Sequence, residues 1–243
     1  MKQESNRNKN SLSVLLKKEI LVSIKSPAAY VVIIVFLLIS GYLFADGLFL
    51  SNVATLRPFF SLTGILFLFF IPALTMRSFS EEFRNGTLEV LATHPISRSR
   101  LVFAKALSSF LVVVAALIPT VFYFIVVASL GNIDPGTAFA GYLGLLFLAA
   151  GYVSVGVFAS SLTQNQVAAF IIALFVLFIF FILDKVTALT TGSLAYILQY
   201  ASSDFHLATF YKGAIDIRDV VYFCGVAVFF VSLTSKWLEL KFK

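Results

Sequence analysis

Residues able to do acid–base chemistry are scarce in this chain, and their densest cluster is one stretch. Over 77–101 the sequence reads RSFSEEFRNGTLEVLATHPISRSRL, which holds four arginines, three glutamates and one of the two histidines. Ser78-Phe-Ser-Glu81 has the spacing of a capping box, with acidic side chains in the first turn of a short helix. Asn85-Gly86 ends that turn. Thr87 is placed to cap a second short helix, TLEVLAT. That helix must stop ahead of His94-Pro95, because the residue before a proline is pushed out of the helical region. Ser97 is then placed to cap the next element. The pattern predicts a charged helix–break–helix. The plainer alternative is a solvated loop.

Elsewhere the usual catalytic patterns are missing. The chain has no G-x-S-x-G, no H-E-x-x-H and no G-x-x-x-x-G-K-[ST]. It therefore carries no nucleotide-binding loop of its own, and if ATP drives it another subunit must bind the ATP. Cys224, the single cysteine, sits in an apolar run and can form no internal disulfide. His94 precedes a proline in the charged loop, where a solvated side chain is the ordinary reading. His206 follows Asp204 by two residues, a spacing that suggests a local pair.

The elements that position these residues are apolar. From 135 to 183 there is no charged residue, and the one polar interruption is 160–166. Two bilayer crossings of roughly 20 residues fit that length. The chain is 60% hydrophobic and 12% charged, against about 25% charged for soluble domains. The apolar runs are continuous rather than alternating, which excludes a β-barrel. The fold class is therefore all-α, a polytopic bundle of six spans at about 28–45, 58–76, 104–130, 138–160, 167–183 and 220–236. The last two are short and need anchoring residues to reach the interfaces. Residues 1–26 form a leader whose 11–26 portion reads as an interfacial helix, the spans occupy 27–238, and 239–243 is a tail. The amphipathicity of the leader helix is imperfect: Glu19 falls among Leu12, Leu15 and Leu16. A signal peptide is disfavoured by the long basic region and by the lack of an A-x-A-like site.

Orientation follows from Lys and Arg. The leader, the second loop with the base of span three, and the tail hold 14 of the 18, and the other side holds Arg57, Lys185, Lys212 and Arg218. Both termini are predicted to be cytoplasmic. The basic residues are distributed by membrane side, which explains the net charge of +6 without nucleic acid. Lys105, Lys236 and Trp237 are predicted interface anchors, with ammonium groups reaching water and the indole at headgroup depth. The two histidines then fall on opposite sides, so no shared metal site is expected. No span interior holds Asp, Glu, Lys, Arg or His, with Lys105 at a cytoplasmic edge, which argues against proton-coupled transport. It also argues against an intramembrane enzyme, since Ser, Thr and Tyr there lack a His or Asp partner. Pro72 and Pro119 lie inside spans two and three, where neighbours can satisfy the freed carbonyls. Small pairs in span four, Ala140/Gly144, Ala150/Ser154 and Gly156/Ser160, predict close helix packing.

The segment FSEEFRNGTLEVLATHPISRSRLVFAK resembles the coupling segment of type-2 ABC transporter permeases: an acidic residue, then G-T-L-E, then P-[IL]-S, and a Lys at the next span. IPALTMRSFSEE, SSLTQNQVAAF and YKGAIDIRDVVYF extend the likeness along the chain. They bring it nearest to the gliding-motility-associated permease subunit and its copper-processing and sodium-export relatives. The leader before residue 11 departs from that pattern. The resemblance implies a half-permease without catalytic residues, cofactor or metal of its own. Two copies, or one copy and a related membrane subunit, would pair with cytoplasmic ATPase subunits that hold the ATP and Mg²⁺. It places Glu81, Glu82, Arg84, Gly86, Thr87, Leu88, Glu89, Pro95 and Ser97 at or near the ATPase interface, with Glu82 and Glu89 as exposed docking charges. It also implies an external helical segment between spans five and six. A scaffold that anchors an ATPase without moving anything is the competing function.

The topology is directly testable. In a Cys224→Ser background, single cysteines at Ser97 and Lys241 should label from the cytoplasm, and those at Asn132 and Ser193 from outside. Outside labelling at Ser97 would reverse the orientation.

Overall fold

A computed structural model describes residues 15–23, 25–51, 55–87, 97–131, 133–187 and 192–242. All regular structure among them is helical. Helix α1 covers 15–23. It is followed by α2 (Pro27–Ser51), α3 (Arg57–Thr75) and the short α4 (Ser80–Arg84). Then come α5 (Arg98–Leu117), a 3₁₀ turn (Ile118–Thr120) and α6 (Val121–Leu130). The chain continues through α7 (Pro135–Leu162), α8 (Gln166–Val186), α9 (Ser193–Ala201), α10 (Ser203–Tyr211) and α11 (Ile217–Lys241). Among the described residues six helical stretches are long and apolar enough to cross a membrane, and α5 with α6 makes one of them.

These six match the expected spans in number and order, but most run further. Helix α8 has 21 residues and α11 has 25. At about 1.5 Å per residue each reaches across a hydrocarbon layer of about 30 Å. The sequence made them look short because hydropathy falls at Asp184, Lys185 and the Arg218-Asp219 pair. Charge at a helix end does not stop a helix when the end lies at headgroup depth. Side-chain caps fix the starts. The Asn165 side chain accepts from the amides of Val167 and Ala168, and that of Asp216 accepts from Arg218. Asp134 caps α7 in the same way. The Thr137 hydroxyl and the Gly136 and Thr137 amides donate to its carboxylate, and they hold its pKa below the ordinary value.

Helix α7 is the hub. Within its apolar window 72% of residues are buried, against 50% for the next most buried stretch. In lipid, helices associate through packing and hydrogen bonds rather than water exclusion, so a central helix needs small residues that admit its neighbours. The small pairs of span four do this. A Cβ on Gly144 would meet Phe210 Cβ at 2.5 Å, and one on Gly156 would meet Thr75 Oγ1 at 2.1 Å. Pro119 sits in the 3₁₀ turn between α5 and α6, and the Thr120 carbonyl beside it accepts the Tyr142 hydroxyl at 2.7 Å.

The end of the bundle away from α4 is closed by α9 and α10. His206 is not paired with Asp204, as the spacing suggested. Its Nδ1 lies 2.6 Å from Asp219 Oδ1 at the start of α11, and Asp204 pairs with Lys185 at 2.7 Å instead. His206 Nε2 faces the Tyr200 carbonyl at 2.9 Å, so that nitrogen carries a proton. The ring also stacks on Tyr222 at 4.1 Å.

Gly156→Leu should therefore force α3 and α7 apart and cost roughly 1–3 kcal/mol. A Cβ on Gly225 of α11 would meet nothing within 4 Å, so Gly225→Leu should be near neutral. Thermal unfolding of the two variants in detergent checks this, and equal midpoints would contradict the packing.

Candidate functional site: the α4 junction

Helix α4 has five residues, SEEFR. Isolated helices under about 12 residues are not stable in water, so its conformation must come from its neighbours. The expected capping box does not form: no side chain of the segment caps α4. The cap comes instead from the hub helix. Ser160 Oγ accepts from the amides of Phe79 at 2.9 Å and Ser80 at 3.1 Å, and donates to the Met76 carbonyl at 3.0 Å. The Ser80 hydroxyl donates to the same carbonyl. One hydroxyl of span four thus satisfies the start of α4 and the end of α3 together.

The second tie is ionic. Lys105 Nζ lies 2.7 Å from Glu82 Oε1 and 3.2 Å from Glu19 Oε2. Lys105 is 4% exposed and Glu19 6%. The same ammonium stands over the Phe79 ring at 5.2 Å. Lys105 is therefore not a membrane-surface anchor. It is withdrawn from water, and it joins α1, α4 and α5 through one charge. Glu82 is likewise not an exposed docking charge, since its side chain is 24% exposed and bonded inward. The cause is geometric: Glu81 and Glu82 are adjacent, so on a helix they point to different sides, and only Glu82 faces the bundle.

The third tie comes from the C-terminal end of α11. The Phe83 ring stacks parallel to Phe242 with centroids 6.2 Å apart, and Lys241 Nζ stands 3.7 Å from the Phe83 centroid. Arg98 donates to the carbonyls of Leu238 and Glu239, both at 3.2 Å, and of Phe242 at 3.4 Å. It therefore caps the C-terminus of α11 rather than simply reaching for headgroups. Trp237 Nε1 donates to the Ser161 carbonyl at 3.2 Å, while Lys236 is exposed.

What remains for a partner is the outer face. Glu81, Arg84, Asn85, Gly86 and Thr87 are exposed. Gly86 has φ +68°, a left-handed conformation that strains a β-branched residue. Ser97 occupies the cap position of α5 and is exposed, but its side chain makes no capping bond. Leu88, Glu89, His94 and Pro95, with the expected second short helix, lie outside the described residues.

Sequence reasoning missed Glu19, Ser160, Phe83 and Phe242. Glu19 did leave a signal, since a carboxylate among leucines on an interfacial helix needs a buried partner. Among the described residues no group of three His, Cys, Asp or Glu side chains is arranged to hold a metal ion. The junction has hydrogen bonds, ion pairs and an exposed charged face, but no nucleophile–base pair.

A family model for the ABC-2 family transporter proteins matches residues 47–217, from the end of span one to the start of span six. No curated protein matches the chain.

Lys105→Met would leave the buried Glu19 and the half-buried Glu82 without a counter-charge and should cost about 3–5 kcal/mol. Lys105→Met/Glu19→Met/Glu82→Met removes all three charges and should recover most of that loss. Thermal unfolding of both in detergent decides the point: if the single variant is as stable as wild type, the buried cluster does not hold the junction.

Proposed function

The chain belongs to the ABC-2 family of transporter proteins, and from that premise we propose that it is a half-permease whose α4 junction receives force from a separate ATPase. As a family member it is a transport component rather than an enzyme. In our reading its basic end faces the cytoplasm of a bacterium. The ATP and Mg²⁺ belong to the partner, and a second copy or a related membrane subunit completes the pathway. The work is export or a mechanical task in the envelope like that of gliding-motility systems.

The observation that carries this reading is the convergence of ties on α4. Ser160 comes from span four, Lys105 from span three and Phe242 from the end of span six. Glu19 is added from the interfacial helix. A five-residue helix with three rigid attachments cannot be displaced without displacing those spans. Its outer face meanwhile presents Glu81 and Arg84 to an incoming surface, where rim charges steer docking and fix register. The scaffold reading shares the docking face but gives no reason for ties to three spans.

The test uses Glu81→Lys/Arg84→Glu, which reverses exposed charges and should leave the fold intact, because surface charges contribute roughly 0–1 kcal/mol each. At equal membrane abundance the variant should lose co-purification with the ATPase about tenfold or more and fail to stimulate ATP hydrolysis. Binding and turnover equal to wild type would remove α4 as the docking element. Wild-type binding and hydrolysis without substrate movement would favour the scaffold.

A further inference from the structure

A cavity of about 990 Å³ opens at the basic end of the bundle, between α1, the start of α2, the end of α3, α4 and the base of α5. The buried Lys105 cluster forms part of its wall. Lys17, Lys18, Lys25 and Arg77 also line it, and all four are exposed. Among the described residues none of the four is paired with a carboxylate. The remaining lining mixes polar residues (Glu81, Asn85 and five serines) with an apolar wall that includes Ala28, Val32, Leu74 and Val112. Val32, Leu74 and Val112 also line a narrow cleft of about 20 Å³ that continues between α2, α3 and α5. The charge of the cavity is therefore segregated from an apolar wall that leads into the spans.

That segregation selects the occupant. A small soluble anion would satisfy the basic side chains and leave the apolar wall bare. A lipid with no net charge would cover the wall and leave the basic side chains without compensation. We propose that the cavity seats one anionic phospholipid of the cytoplasmic leaflet. The headgroup phosphate is met by the four basic side chains, and the acyl chains lie along Val32, Leu74 and Val112. Lys/Arg clusters beside a membrane span attract anionic headgroups, and here the cavity gives the attraction a fixed position. The lipid would touch α1, α2, α3 and α5 together and so brace α1 against the junction. The binding claim stands on the cavity alone and does not depend on an ATPase partner.

The experiment reads retained lipid. The full chain is placed in nanodiscs of phosphatidylcholine with a minority of phosphatidylglycerol, extracted, and analysed by native mass spectrometry. Wild type should keep one phosphatidylglycerol per chain in preference to phosphatidylcholine. Lys25→Gln/Arg77→Gln should lower that retention about thirtyfold, the scale expected for two lost basic contacts at a membrane surface. Ala28→Phe, which fills the cavity and keeps every charge, should lower it too. Lys236→Gln/Lys243→Gln removes the same charge elsewhere on the basic end and should not. Millimolar inorganic phosphate should not displace the lipid. Equal retention of both lipids by wild type overturns the proposal without any variant. Undiminished retention in Ala28→Phe, equal loss in the Lys236/Lys243 variant, or displacement by inorganic phosphate each overturns it as well.

Discussion

A buried ammonium shared by two carboxylates is the constraint on which the rest of this molecule turns. Withdrawing Lys105, Glu82 and Glu19 from water costs several kcal/mol per ion unless each keeps its partner. The three charges stand on α5, α4 and α1. None of these elements can move alone without leaving a bare charge in a low-dielectric setting. The Ser160 hydroxyl adds a directional condition, since it serves two amides and a carbonyl at once. Geometry that satisfies the charges but not the serine would orphan the start of α4. Together these conditions give a five-residue helix a single position.

The hub helix makes that position mechanically useful. Helix α7 packs through Gly156 against Thr75 near the junction and through Gly144 against Phe210 on α10. Both ends of the bundle therefore bear on one central helix. The far end repeats the logic of the junction with different residues: His206 and Asp219 share a buried contact, and Lys185 holds Asp204. Polar pairs pin the helical segments at each end, and small residues let the spans between them close up. Both ring nitrogens of His206 are engaged there, one by a carboxylate and one by a carbonyl.

The spans themselves were legible because uncharged runs of that length have no other use. Their ends were not, since hydropathy falls at the first charge while the helix continues to its cap. The first half of the charged loop was legible as a short helix ending ahead of Gly86, which has a positive φ; the expected second helix lies outside the described residues. Its supports were harder to see. Ser78 and Glu81 fit a local capping pattern, yet the actual cap comes from a serine 80 residues away. Glu82 and Glu81 look equivalent in sequence, and only the packing of α4 against α5 separates an internal ligand of Lys105 from an exposed charge. His206 paired with Asp219 rather than Asp204 for a similar reason: the turn between α10 and α11 brings the distant residue closer than the near one. Short-range rules find elements, but partners across elements require the fold.

The central claim is that α4 and the base of span three move as one body. Spin labels at Arg84 and Phe103, both exposed, report it in the full complex by pulsed electron–electron resonance. The account predicts one narrow Arg84–Phe103 distance that stays fixed with and without trapped ATP, and that broadens in Lys105→Met. A wild-type distance that shifts or broadens on ATP binding would show α4 sliding past the span, and would contradict the account.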